Sequence, residues 1–257
     1  MRLGWSREAE SRRDEDPDDA DEDPPSEGFS LRFSPSDTTF TTTVFGYELT
    51  FDQRPADVSL GHGAVVWEAA VIFLKWTELS NEFSVDKMRG RSVLELGSGT
   101  GLGGCALMAR GCRVVFSDLA PVCAEITTNN ATRSYHKLRS YSLPIDLHPP
   151  SVIPIDWTDA DNLQDLRDSS FDVILLTDCV FSELLIPSLV RTVVEACGSR
   201  KGVVVYAVHE IRNEDANKLF VQSMKGHFRD VKLVPTSKLS PDYRSELVQI
   251  LRCSRRK

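Results

Sequence analysis

The chain has 257 residues, of which 41% are hydrophobic and 26% are charged, and its formal charge is -8. A chain of this length and composition can bury one sizeable core, so we expect one domain. The acidic excess lies at one end: residues 1–30 hold 11 acids and 4 bases, which leaves 27 acids, 26 bases and a charge of -1 for the rest. A globular part so close to neutrality does not indicate a nucleic-acid partner.

The six cysteines predict reduced thiols in the core rather than a metal site or a disulfide framework. They include no C-x-x-C pair, and most stand in apolar segments, as is typical of proteins in a reducing compartment. The sequence also shows no uninterrupted apolar run of membrane-spanning length. Its first 30 residues are acidic and do not have the basic stretch followed by an apolar stretch that is typical of a targeting peptide. We therefore expect no metal and no membrane partner, and a cytoplasmic location with the nucleus as an alternative.

The beginning of the chain differs most from the rest. Residues 6–28 are rich in charge and proline and almost free of large apolar residues, so burial cannot offset the entropy lost on ordering. We predict that residues 1–30 form a disordered acidic tail and that residues 31–257 form a single domain.

Two elements come before the regular part of this domain. Alternating β-forming residues predict a small hairpin over residues 38–52. Apolar residues at helical spacing then predict an amphipathic helix over residues 63–80. Both are expected to pack beside a core formed by residues 91–257.

In the core, short apolar strands alternate with helical segments. Five strands are predicted to begin near residues 92, 113, 151, 172 and 202, and such a pattern is typical of a parallel sheet covered on both faces. Two more strand candidates, from residues 230 and 246, have no helix between them and predict an antiparallel pair. The sequence therefore predicts an α/β, Rossmann-like fold: a seven-stranded, mostly parallel sheet with a C-terminal antiparallel hairpin.

The segment SVLELGSGTG places a glycine turn at the carboxyl end of the first core strand. Ligands of open α/β sheets bind at this edge, and glycines let the backbone turn sharply and approach a ligand closely. Gly99, Gly101 and Gly104 match the G-x-G-x-x-G pattern of nicotinamide-dependent oxidoreductases, which is one alternative. The position of the strand disfavours this alternative. In the dinucleotide pattern the first glycine follows the strand directly, and here that residue is Gly97. Counted from Gly97, the position of the third glycine is occupied by Leu102.

Two carboxylates indicate which ligand the turn binds. Glu95 would repel a pyrophosphate in a water-poor turn, but it suits a phosphate-free ligand with a positive reactive centre, such as S-adenosylmethionine. Asp118 ends the next strand, 21 residues after Gly97, at a place where an acid accepts ribose hydroxyls. The alternative for Asp118 is the N-cap of the following helix.

Six segments in a fixed order carry a resemblance to a known family: GAVVWEAA, RGRSVLELGSGTGLGG, VVFSD, IDW, FDVILLTDCVF and EIR. From about Gly46 to its C-terminus the chain resembles the seven-strand class I methyltransferases. More narrowly, it is similar to protein-lysine methyltransferases of the methyltransferase-like 21 type, which modify heat-shock chaperones, valosin-containing protein and elongation factor 1A. The resemblance implies a protein-lysine N-methyltransferase with S-adenosylmethionine as cofactor and elongation factor 1A or a chaperone as substrate.

The resemblance also implies which residues hold the cofactor. Its methionine portion is expected along the glycine turn, its ribose on the acid after the second core strand, and its adenine beside a tryptophan. The full set expected at the cofactor is Trp67, Glu95, Gly97, Ser98, Gly99, Gly101, Asp118, Trp157 and Thr177.

The acceptor site is expected in the loop after the fourth core strand. The family has a D-x-x-Y motif there; this sequence has Asp178 and Phe181, so the carboxylate is kept and the phenol hydroxyl is absent. We expect Asp178 to shape the acceptor site, with a cap on the next helix as the alternative, and Phe181 to pack there. Glu210 is a candidate to meet a cationic lysine, and Arg212 to pair with Asp178 or with the substrate. For both Glu210 and Arg212, an ion pair on the surface is an equally good interpretation.

Three functions remain open from the sequence. The first is protein-lysine methylation by a monomer. The second, which the absent tyrosine raises, is a member of the same fold that binds the cofactor or a protein without catalysis. The third, which the register of the glycines disfavours, is a nicotinamide-dependent oxidoreductase.

Overall fold

The computed structural model describes residues 37–257 except for residues 142, 161, 162, 164, 165, 167 and 168. The predicted acidic tail, residues 1–30, lies outside the described residues. The strands are β1 Thr39–Val44, β2 Tyr47–Asp52, β3 Ser92–Leu96, β4 Arg113–Asp118, β5 Ser151–Pro154, β6 Val173–Thr177, β7 Val204–Glu210, β8 Phe228–Leu233 and β9 Val248–Arg256. The helices are α1 Glu68–Leu79, α2 Val85–Met88, α3 Leu102–Met108, α4 Ala120–Val122, α5 Thr128–Ser140, α6 Ile186–Ala196 and α7 Glu214–His227. A π-helical turn, Cys123–Thr127, joins α4 to α5, and 3-10 turns cover Val58–Ala64, Asn81–Phe83 and Thr236–Lys238.

Seven strands form one sheet in the order β5-β4-β3-β6-β7-β9-β8. β5, β4, β3, β6 and β7 are parallel, and β9 pairs antiparallel with both β7 and β8. The predicted α/β, Rossmann-like fold with a C-terminal antiparallel hairpin is confirmed. The last strand of the sequence lies inside the sheet, so β9 joins the hairpin to the parallel part and β8 forms the edge.

The core lies on the two faces of this sheet. Every residue of β6 is buried, because helices cover both faces of the parallel strands. One buried cluster places α1 and α3 against the sheet and includes Phe73 and Phe83, whose ring centroids are 5.7 Å apart. The other places α6 and α7 against the opposite face and includes Leu189 and Phe220. The helices thus leave the carboxyl ends of the parallel strands open to a ligand.

The N-terminal hairpin, β1 and β2, is fixed to α5 by polar contacts. Phe45 and Gly46 have positive φ values of 51° and 85°, which suit the tight turn between the two strands. The Asn130 side chain accepts from the Asp52 amide over 2.8 Å and donates to the Asp52 carbonyl over 3.0 Å. Arg133 donates to the Asp52 carboxylate over 2.7 Å. The predicted two-stranded element is therefore confirmed and packs on the helical layer.

The helix predicted over residues 63–80 begins later, at Glu68, after a 3-10 turn and a short extended stretch. Tertiary contacts account for the difference. The Val66 amide donates to Gln53 Oε1 over 2.7 Å instead of to a carbonyl within a helix. The residues before α1 are therefore bound to the end of the hairpin and do not continue the helix.

One apolar run in the described part of the chain, Val58–Leu79, has the length and hydropathy of a membrane-spanning helix. Half of its apolar window is buried inside the protein. The run is not one helix, because α1 contributes 12 residues and the 3-10 turn before it is separated by extended backbone. About 20 helical residues are needed to cross a bilayer, so α1 is a core helix in this fold.

Glu95 on β3 has a fully buried carboxyl group, which lies beneath the start of α3. A Cβ on Gly103 would lie 2.5 Å from its Oε1, and one on Gly104 2.7 Å from its Oε2, so the two glycines make room for it. Neither oxygen has a partner in hydrogen-bonding geometry among the described residues. The nearby Gly104 amide and Ser98 hydroxyl favour the charged form, but burial dominates and raises the pKa of Glu95 to about 8.

Glu95→Gln should change how folding stability depends on pH. Between an ordinary pKa of 4.5 and a folded pKa of about 8, the folded protein keeps a proton that the unfolded chain releases. This contribution to the free energy of unfolding is complete below pH 4.5 and is lost as the pH rises through 8. From pH 5 to pH 8 we expect the wild type to lose about 3 kcal/mol relative to Glu95→Gln, measured by urea denaturation without added ligand.

Glu48→Gln is the control for this measurement, because the Glu48 side chain is exposed on β2. We expect this variant to differ from the wild type by the same amount at both pH values. If the free energy of unfolding changes with pH in the same way for the wild type and for Glu95→Gln, the raised pKa of Glu95 is contradicted.

Candidate functional site

A cavity of about 530 Å³ opens at the carboxyl ends of the parallel strands. Its volume lies in the range of small-molecule and cofactor sites. The loops after β3, β4, β5 and β6 contribute to it, together with the segment before α1. Its lining consists of residues 58–63, 65, 67, 70, 97–100, 118, 119, 121, 122, 155–158, 177–179, 181 and 185.

Most of the residues that the sequence indicates for a site meet at this cavity. Of the cofactor set, the lining contains Trp67, Gly97, Ser98, Gly99, Asp118, Trp157 and Thr177. Of the acceptor set, it contains Asp178 and Phe181. One cavity therefore brings together both groups of residues, from segments that are far apart in the chain.

Four of the indicated residues, Glu95, Gly101, Glu210 and Arg212, lie outside the lining. Glu95 is enclosed between β3 and α3, because the alternation of side chains along a strand turns it toward the face that α3 covers. Gly101 is the N-cap of α3, with φ of 83°, and packs near Phe116. Glu210 ends β7 and binds Arg212 over 2.6 Å. Contacts of Glu95, Gly101 and Glu210 with a ligand therefore stay a prediction, since none of the three lines the cavity.

The glycine turn after β3 is closely packed against its neighbours. Gly97 and Gly99 have φ values of 64° and 52°, in the left-handed region that favours glycine. A Cβ on Gly97 would lie 2.6 Å from the Cys179 sulfur, and one on Gly99 3.0 Å from the Gly63 carbonyl oxygen. Side chains at these positions would push apart the segments that surround the cavity.

Asp118 is held by backbone amides at the edge of the cavity. Its Oδ2 accepts from the Gly99 amide and its Oδ1 from the Leu119 amide, both over 2.8 Å. Burial raises the pKa of Asp118, although these two hydrogen bonds favour the charged form. Each carboxylate oxygen has a further lone pair, so Asp118 can accept two hydroxyl groups from a ligand. The hydrogen bond from the Leu119 amide is a local contact, as in a helix cap, and it leaves the second lone pair of Oδ1 free for a ligand.

Trp67 forms one side of the cavity and is fixed by two contacts. Its indole Nε1 donates to the His62 carbonyl over 2.8 Å. The Arg212 guanidinium lies 4.8 Å from the centre of its ring, in cation–π geometry. The His62 ring stands between Trp67 and Phe181, with centroid distances of 6.1 and 6.2 Å. Three rings therefore line one part of the cavity.

Asp178 and Arg212 form a two-point ion pair next to these rings. Arg212 donates to Asp178 Oδ1 over 2.9 Å and to Oδ2 over 2.8 Å, and the Glu210 amide donates to Oδ1 over 3.2 Å. Burial alone would lower the pKa of Arg212, but Asp178 and Glu210 outweigh it and raise that pKa. The Asp178 side chain is 3% exposed and does not cap α6, whose N-cap is Leu185. The carboxyl group of Asp178 is therefore held in one position by these contacts.

The segment before α1 contributes residues that the sequence patterns did not single out. Gly61, His62 and Gly63 line the cavity, because the chain bends there before α1 begins. Asp156 also lines it, one position before Trp157. The sequence signal for this segment is the pair of glycines that flank His62 just before a helix, because glycines allow the backbone to pass close to a ligand.

Residues 47–227 match the sequence family described as lysine methyltransferase. Protein-lysine N-methyltransferase EEF2KMT of Mus musculus is 30% identical over 186 residues, which are 70% of this chain and 54% of that protein. Protein N-lysine methyltransferase METTL21A of Mus musculus is 31% identical over 160 residues, which are 62% of this chain and 66% of that protein. The matched part spans less than two thirds of either relative.

A solved structure shows the same fold. The T. thermophilus 16S rRNA N2 G1207 methyltransferase, in complex with AdoMet and guanosine, has a TM-score of 0.53 at 18% identity. The match covers 85% of this chain and 50% of that chain. This likeness concerns the fold alone, whereas the sequence match extends over most of the chain. The chain therefore belongs to the lysine methyltransferase family.

Proposed function

We propose that this protein is a protein-lysine N-methyltransferase that takes its methyl group from S-adenosylmethionine. The observation that carries the proposal is that one cavity contains both the glycine turn with Asp118 and the pair Asp178 and Phe181. The first set suits an adenosyl cofactor and the second an incoming amine, so both reactants can be aligned in one space. Membership of the lysine methyltransferase family supports this reaction.

The charges of the lining fit a cofactor without phosphate. The lining contains the carboxylates Asp118, Asp156 and Asp178, and none of the described residues that line it is a lysine or an arginine. A pyrophosphate would find no cationic partner among these residues, whereas ribose hydroxyls can donate to Asp118. S-adenosylmethionine, when bound, supplies a methyl group on a sulfonium. The same charge pattern disfavours the nicotinamide alternative.

The ring-lined part of the cavity suits a lysine side chain. Lysine has a pKa of about 10.4 in water, and an apolar site lowers it because the charged form loses hydration. The rings of Trp67, His62 and Phe181 provide such surroundings and tolerate methylated ammonium groups. Asp178, bound by Arg212, orients the incoming ammonium, and the proton leaves to solvent at the open side of the cavity.

We also propose that the acceptor is a protein of the elongation-factor or chaperone class, and that the enzyme acts as a monomer in the cytoplasm or nucleus. Similarity to two protein-lysine methyltransferases supports a protein acceptor. The near-neutral charge of residues 31–257 gives no support to a nucleic-acid acceptor. Cofactor binding without transfer to any protein would instead support the non-catalytic alternative.

Asp118→Ala should weaken binding of S-adenosylhomocysteine by about tenfold or more. The change removes an acceptor for ribose hydroxyls and also frees the Gly99 amide, which loosens the glycine turn. Isothermal titration calorimetry measures the affinity. With tritiated S-adenosylmethionine and a cell extract, we expect the wild type to label a discrete protein band and this variant to lose that label.

Asp230→Ala is the control for this pair of measurements, because Asp230 lies on β8 at the far edge of the sheet and binds Arg255 of β9. It should bind and label as the wild type does. Label that enters only RNA or small molecules would exclude a protein acceptor. NADH binding that is tighter than S-adenosylhomocysteine binding would restore the oxidoreductase alternative.

Arg212→Met should slow methyl transfer by about 10- to 100-fold. The variant leaves the enclosed Asp178 carboxylate without its charged partner and removes the guanidinium from the Trp67 ring. The initial rate of tritium transfer to the labelled protein band measures the effect. Thermal unfolding measures any accompanying loss of stability.

Arg200→Met is a matched control. Arg200 binds Asp172 over 2.7 Å, and this pair stands at the amino ends of β6 and β7, opposite to the cavity. We expect its transfer rate to stay within about twofold of the wild type. Equal slowing in the two variants would mean that both ion pairs act on folding alone.

A further inference from the structure

Large apolar side chains are exposed around the opening of the cavity. Val58, Leu119 and Phe181 line the cavity and are nonetheless exposed, and Leu184 is adjacent in sequence to the lining residue Leu185. Val58 is 93% exposed and Leu184 is 90% exposed. Apolar side chains that gather at one place on a surface mark an interaction site, whereas single scattered ones are ordinary. We call these four residues, Val58, Leu119, Phe181 and Leu184, the apolar rim.

The apolar rim continues across the opening from one segment to another. Phe181 and Leu184 belong to the loop between β6 and α6, which begins at Asp178. The Phe181 ring is 6.2 Å from the ring of His62, which lies in the same segment as Val58, beyond the kink at Gly61. The loop and the turn therefore form one surface that the described chain leaves uncovered.

Carboxylates accompany the apolar rim, and one guanidinium, that of Arg191, donates to the carbonyl of the lining residue Trp157 over 3.0 Å. Asp156 and Asp178 line the cavity, and the exposed Glu183 is adjacent to Leu184. Arg212 binds both oxygens of Asp178, so the charges of this pair balance and the negative charge at the opening is that of Asp156 and Glu183. The opening thus combines apolar groups with negative charge, which complements a segment that carries apolar and basic side chains.

We propose that the apolar rim is the docking surface for the acceptor protein, and that it selects a lysine flanked by a large apolar residue and a second basic residue. The inference rests on the proposed function, because it concerns the acceptor of the same cavity. The flanking apolar side chain packs on Phe181 and Leu184 while the lysine enters the cavity. The second basic residue faces Asp156 or Glu183.

The test compares Leu184→Ser, Leu184→Asp and Leu184→Lys. Because Leu184 is 90% exposed, these substitutions leave the core intact. The readout is the initial rate of tritium transfer to the protein band that the wild type labels. We expect Leu184→Ser to lower this rate about tenfold, and Leu184→Lys to lower it further than Leu184→Asp, since the arriving segment is cationic. The affinity for S-adenosylhomocysteine should stay within about twofold in all three variants.

Leu233→Lys is the matched control, because Leu233 is 58% exposed on the edge strand β8, away from the cavity. It should label as fast as the wild type. Equal rates for the wild type and all three Leu184 variants would overturn the docking surface. A Leu184→Lys rate equal to or above the Leu184→Asp rate would overturn the preference for a basic segment. A wild-type dimer in sedimentation that Leu184→Lys dissociates would show that a second copy covers the apolar rim, which would also overturn the proposal.

Synthetic peptides test the selectivity directly on the wild-type protein. A peptide with Leu-Lys-Arg at its centre should inhibit labelling of the protein band at least about tenfold more strongly than one with Ser-Lys-Glu. Equal inhibition would contradict the proposed selectivity. A wild-type protein that labels no protein at all would overturn the proposed function itself, and this outcome differs from equal labelling by the wild type and its variants.

Discussion

The site depends on the close approach of three segments to the backbone of one turn. The Gly99 amide binds Asp118 at the end of β4, and a Cβ at the same residue would reach the Gly63 carbonyl before α1. At Gly97, a Cβ would meet the Cys179 sulfur in the loop after β6. Only glycine combines the left-handed backbone of this turn with so little space. The cavity is formed where these segments converge.

A second set of contacts gives the acceptor side of the cavity its shape. Asp178 has a φ of 64°, which is uncommon for a residue with a side chain, and two nitrogens of Arg212 hold its carboxylate. Through its guanidinium, Arg212 also fixes the ring of Trp67. The absence of a phenol hydroxyl at Phe181 leaves an apolar ring that is partly exposed, in the same loop as the exposed Leu184. The departure from the family motif thus replaces a polar group at the cavity by an apolar one.

The sheet could be predicted from the sequence because the strands are continuous apolar runs bounded by glycines and acids. Each of these runs is local, and a parallel sheet with helices between its strands is one of few arrangements that bury them all. The start of α1 could not be predicted in the same way. Val66 is compatible with a helix by spacing, and its bond to Gln53 depends on a hairpin that precedes it in the chain. Local patterns carry no information about such a partner.

The sequence by itself determined the order of the core elements, the glycine turn at the carboxyl end of β3, and the place of Asp118 at the end of β4, because each follows from periodicity or backbone conformation within a few residues. The tertiary structure decided what depends on distant partners. It turned Glu95 into the core beneath α3, where two glycines leave room for its carboxyl group. It also joined Asp178 to Arg212, 34 residues away, and brought His62 to Phe181. Such contacts arise only when separate segments pack, and for that reason no local pattern encodes them.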